Sequence, residues 1–200
     1  MCQGVIPFPD IFSTTGPASG GHSGSQAGGQ GSRGGPGTPA ALPLRVDPQT
    51  EINWCWAAVA ASVSRYYSGR AMPQQCDVVN MTFNNQSCCA NGRTFVCDRA
   101  WHLEDALTLL GNLDSQPTTV IPFDEIRRRI DADRPVCCRV ADPLNPRVGH
   151  FIVIIGYQNG SRQWVVSDDP KNGTRRHEYS QITSAYLNQM LWTHTFHTKP

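Results

Sequence analysis

Residues 49–69 read Gln-Thr-Glu-Ile-Asn-Trp-Cys-Trp-Ala-Ala-Val-Ala-Ala-Ser-Val-Ser-Arg-Tyr-Tyr-Ser-Gly. Trp56, Val59, Ala60, Val63 and Tyr67 recur at helical spacing, and Ala57, Ala58 and Ala61 fill most of the other faces. A helix that is apolar nearly all round is covered on both sides, so a helix over Trp54 to Ser68 belongs at the centre of the fold. Asn53 is a suitable N-cap and Gly69 the expected stop. Cys55 falls in the first turn, where unpaired N–H groups and the positive end of the helix dipole favour a thiolate.

Outward from this helix, the pattern predicts further helices over about 75–84, 100–110 and 122–132. The period then changes. Pro135 to Val140 reads as a short strand, and Phe151-Ile-Val-Ile-Ile155 as a buried one. Asn159-Gly160 is a strong hairpin signal, with Arg162 to Ser167 as the returning strand. A last strand is expected over about 191–197. Helices first and antiparallel strands second make an α+β fold.

Upstream the composition shifts. Half of residues 1–42 are Gly, Pro or Ser, and only Asp10 and Arg33 are charged. Such a stretch buries too little apolar surface to offset its ordering entropy, so 1–42 is expected to be a disordered tail and 43–200 the folded domain. All five Trp lie in the domain. A net charge of +1 argues against nucleic acid as the main partner. No apolar run is long enough to span a membrane. The first residues carry no basic n-region or long apolar h-region, so no standard signal peptide is read there.

Eight cysteines sit at 2, 55, 76, 88, 89, 97, 137 and 138. They contain no Cys-x-x-Cys, which disfavours zinc. Cys76, Cys88, Cys89 and Cys97 crowd a polar, Asn-rich stretch that needs stapling, so disulfides and an oxidising destination are the reading. Their connectivity stays open, as does the pairing of adjacent Cys137 and Cys138.

The chemistry gathers around Cys55. Gln49, in the loop feeding the helix, can turn an amide N–H back beside the Cys55 backbone N–H as a two-donor oxyanion hole. Of six histidines, only His150 stands at the mouth of a buried strand. Centring the hairpin on Asn159-Gly160 places Asp169 opposite His150 and Asp168 on the other face. Nucleophile, base, orienting carboxylate and amide donor form a thiol acyl-transfer constellation that needs no cofactor.

With Gln49-x5-Cys55-Trp56, Gly149-His150-Phe-Ile-Val-Ile-Ile-Gly156-Tyr157 and Asp168-Asp169-Pro170, residues 44–197 resemble papain-like cysteine peptidases. The resemblance is to two bacterial branches: the bacteriocin-exporter leader peptidases and the secreted avirulence-effector proteases of plant pathogens. It implies Cys55 as nucleophile, His150 as base and acid, Asp169 as orienter and Gln49 in the oxyanion hole, acting on a protein or peptide substrate. No transporter segment follows, which disfavours leader cleavage coupled to export. Deamidation, transglutamination or peptidoglycan cleavage on the same triad is the alternative, and a non-catalytic disulfide-stapled binding module the lesser one. The effector branch implies secretion by dedicated machinery that reads the N-terminus, with an activating partner unidentified; a cytoplasmic enzyme with reduced cysteines is the alternative. It also implies removal of the tail by self-cleavage within about residues 12–45.

Overall fold

The central helix α1 runs Cys55–Ser68, one residue shorter at its start than expected. Asn53 does not cap it. Its backbone N–H donates to Asp98 Oδ1 at 2.8 Å and its amide to Asp98 O at 3.1 Å, so Trp54 takes the cap position (φ −94°, ψ 17°). Gly69 ends the helix as expected, in the left-handed conformation (φ 65°) that glycine adopts without a Cβ penalty. Cys55 through Val63 are buried without a break. The Trp56 indole donates to Arg99 O at 2.9 Å, so the ring is covered with its polar edge satisfied. Truncation of such a side chain costs about 3–5 kcal/mol.

The structure is a computed structural model, described over residues 40–115 and 118–200. Around α1 pack α2 (Gln75–Phe83) and α3 (Leu103–Leu109). Two disulfides, Cys76–Cys89 and Cys88–Cys97, staple the segment between them. The other half is a sheet of β1 (Ala40–Ala41), β2 (Val136–Ala141), β3 (Gly149–Gln158), β4 (Trp164–Asp168), β5 (Arg175–Glu178) and β6 (Leu191–His197). Their order is β5-β4-β3-β2-β6, with β1 pairing β3. Helix α4 (Phe123–Asp131) packs on β1, β2 and β3, and α5 (Tyr179–Ala185) on β5 and β6. Mixed helices and antiparallel strands make this an α+β fold, as read from the sequence.

Two boundaries differ from expectation. The tail read as 1–42 lies outside the described residues up to 39, but Ala40 and Ala41 pair with Tyr157 and Gly156, and Leu42 N donates to Ile155 O at 2.8 Å. The chain therefore joins the sheet before residue 43. The hairpin is not centred on Asn159-Gly160 either. Gln158 pairs with Trp164 across a five-residue loop, and a bulge between Ile154 and Gly156 shifts the ladder so that Val153 opposes Asp168. Phe151 was expected opposite Asp168, so the slip is three residues beside the turn and two past the bulge, where being even it keeps Asp168 on the face expected of it.

Among the described residues, no helix is long and apolar enough to cross a membrane.

Candidate active site

His150 is the second residue of β3, where Val140 of β2 pairs beside it. It is 3% exposed. Its Nε2 lies 2.7 Å from Asp169 Oδ1, so Nε2 is the nitrogen that donates to the carboxylate and Nδ1 is the ring nitrogen left over. That Nδ1 is buried with no hydrogen-bond partner among the described residues.

Asp169 follows the last residue of β4. The strand ends there and the chain turns, which lets the side chain reach His150 without opposing it in the ladder. Burial alone would raise its carboxyl. The His150 hydrogen bond and charge, with bonds from Asn172 and Tyr186, overcome this and hold it well below the usual carboxylate range. Asp168 turns elsewhere, accepting from Val46 N at 2.8 Å and Thr174 Oγ1 at 3.1 Å.

Cys55 is the first residue of α1, and α1 packs on β3, the strand that carries His150. Its N–H sits at the open end of the helix, where backbone donors have no intrahelical acceptor. The Cys55 sulfur is disulfide-bonded in this structure. Gln49 lies in the loop before the helix. Its Nε2 donates to Glu51 O at 2.8 Å and Ile52 O at 2.7 Å, while Oε1 is buried with no hydrogen-bond partner among the described residues. The structure thus joins His150 to Asp169 and ties Gln49 into the turn leading to Cys55.

The other described cysteines are structural. Cys137 and Cys138, left open by the sequence, are free and fully buried on β2, and burial pushes both thiols far up, so neither is a nucleophile. Cys76, Asp77 and Cys89 bring ligand-type atoms within 4.8 Å of one another, but the two sulfurs are joined as a disulfide and hold no thiolate for a metal. Two neighbours of the site escaped the sequence reading: Asn172 and Tyr186, whose side chains both reach Asp169. Asn172 was within reach of an Asx-turn argument from Asp169-Pro-Lys-Asn; Tyr186, on a different element, carries no local signal.

A cysteine opening a central helix, packed on a strand that carries a carboxylate-bound histidine near its start, is the arrangement of a papain-like thiol hydrolase. Residues 39–187 match the family model described as papain-like cysteine protease AvrRpt2. The chain belongs to this family and is a papain-like cysteine protease. A structure described as a putative C39-like peptidase from Bacillus anthracis shares the fold, with a TM-score of 0.53 at 16% identity over 79% of this chain and 96% of that one. No curated protein matches in sequence.

Proposed function

We propose that the chain hydrolyses peptide bonds through a Cys55–His150–Asp169 triad and a thioester intermediate. The observation that carries this is the asymmetry of His150: Nε2 is committed to Asp169, and the buried Nδ1 is left for a thiol. With Cys55 reduced, His150 takes the thiol proton and the sulfur attacks the substrate carbonyl. The Cys55 N–H receives the oxyanion, and Gln49 joins it by releasing one of its two loop carbonyls. His150 then protonates the leaving amine, and water, deprotonated by His150, clears the acyl-enzyme.

The test is alkylation and turnover together. Reduced wild type should hydrolyse a peptide library and react with iodoacetamide at Cys55. Cys55→Ala and His150→Ala should each lose about a thousandfold or more in hydrolysis with unchanged thermal midpoints, because members of one catalytic unit fail together. A Cys55→Ala protein that keeps a tenth of the activity overturns the assignment.

We also read the protein as a secreted effector. The family match and the two disulfides of the 76–97 segment support this, since such bonds persist in oxidising compartments. The self-cleavage expected within 12–45 is narrowed by the fold: a cut beyond Ala40 would break into β1, and one beyond Leu44 would also remove the buried residues Leu42 and Leu44. Intact mass of wild type and Cys55→Ala after equal incubation tests it, and identical trimming in both refutes it.

A further inference from the structure

We propose that Tyr186 is a positioning residue of this peptidase, its phenol clamping the Asp169 carboxylate so that His150 is held in one orientation. The inference rests on the triad reading above.

The Asp169 carboxylate is saturated with donors. Oδ1 accepts from His150 Nε2 at 2.7 Å and from the backbone N–H groups of Lys171 at 2.7 Å and Asn172 at 3.0 Å. Oδ2 accepts from Asn172 Nδ2 at 2.8 Å and from the Tyr186 hydroxyl at 2.6 Å. Lys171 and Asn172 belong to the same turn as Asp169 and move with it. Tyr186 does not. It comes from the connection between α5 and β6, so among these donors it alone, besides His150 itself, fixes the carboxylate against a separate part of the domain.

That outside anchor is itself rigid. Tyr186 N donates to Met190 O at 2.7 Å and Met190 N to Tyr186 O at 3.0 Å, closing a tight loop with Leu187 and Asn188 at positive φ. The phenol ring packs on the His177 imidazole at 5.2 Å, and His177 Nε2 lies 3.0 Å from Ser167 Oγ. Tyr186 is 1% exposed. Burial first, then the Asp169 charge, push its hydroxyl far above the usual range, so it stays a donor at any working pH. The charged or titratable groups around the pair are His150 on β3 and Arg175 and His177 on β5; burial, then Arg175, lower His177. Asp168 faces away, towards Val46 and Thr174.

The experiment uses the full reduced chain with Tyr186→Phe, and reads hydrolysis and iodoacetamide alkylation of Cys55 against pH. Loss of the hydroxyl leaves more charge on Asp169, which then holds protonated His150 more strongly. The His150-dependent limb of the hydrolysis profile should move to higher pH by about half a unit. Looser orientation should lower kcat about tenfold with KM changed less than about twofold. A 3-fluorotyrosine at position 186, a stronger donor of nearly the same shape, should move the limb the other way, and this decides the matter if Tyr186→Phe folds poorly. A limb that stays put in a folded variant, or a change confined to KM and thermal midpoint, overturns the positioning role. If wild type itself shows no His150-dependent limb, the triad reading fails instead.

Discussion

The backbone N–H of Gln49 donates to the carbonyl of Pro170 at 2.9 Å, stitching the loop that leads to Cys55 to the residue beside Asp169. The two halves of the site are therefore held by main chain as well as by side chains. Substitution of the Gln49 side chain leaves that stitch in place.

Gln49→Ala should slow peptide hydrolysis about 10²–10³-fold, the loss expected for one oxyanion donor. Alkylation of Cys55 by a small electrophile, which builds no oxyanion, should change little. Equal loss in both assays would show that the amide serves only to shape the turn through Glu51 and Ile52.

Asp169→Asn should lower kcat about a hundredfold, whereas Asp168→Asn should cost stability through the freed Val46 N–H and leave kcat within about threefold. The two also differ with pH. The Asp169 carboxyl is depressed in the folded state, so its stabilisation is complete above the ordinary carboxylate range of about 4 and fades as pH falls below it. Thermal midpoints measured from pH 6 down to pH 2 should fall less steeply for Asp169→Asn than for wild type. Parallel curves would deny the depressed carboxyl.

Gly156→Ala should destabilise by about 1–3 kcal/mol. A Cβ at that position would sit 2.6 Å from the Ala40 carbonyl and 3.0 Å from Ala41 Cα, both main chain, so β1 must lift from β3. Limited proteolysis should then cut near residue 40 faster than in wild type; unchanged cleavage would mean the strand accommodates the methyl.

Replacing Cys88 and Cys97 together by Ser should cost about 2–3 kcal/mol, in line with a closed loop of this length. Activity should fall as well, because the loop delivers Cys97 O to the Trp54 indole at 2.8 Å and Asp98 to Asn53, the two residues just before the helix start. A lower thermal midpoint with full kcat would separate the staple from the site.

The helix bearing Cys55 was legible because its apolar residues and Gly69 follow one period, and the strand after His150 because its run is continuously β-branched. The turn was not. Asn159-Gly160 is a true hairpin signal, yet five residues, not two, separate Gln158 from Trp164, and no local pattern announces the bulge at Ile154–Gly156. Asp169 nevertheless reaches His150, because β4 ends at Asp168 and the chain turns there. Asn53 failed as a cap because the helix begins one residue later, behind Trp54, while a distant residue, Asp98, holds the Asn53 N–H and amide donors. The edge strand Arg175–Glu178 and helix α5 are polar and short, and Ala40–Ala41 is too brief to stand out from a Gly-rich approach. Tyr186 meets Asp169 only through tertiary packing, which periodicity cannot express.

The place of β6 in the sheet has a consequence for biosynthesis. This strand, the last described, lies against β2, and it is preceded by the segment that delivers Tyr186 to Asp169. Translation releases Cys55 early, His150 and Asp169 much later, and β6 after them. On the proposed triad, a nascent chain on the ribosome carries Cys55 before the residues that would arm it have emerged.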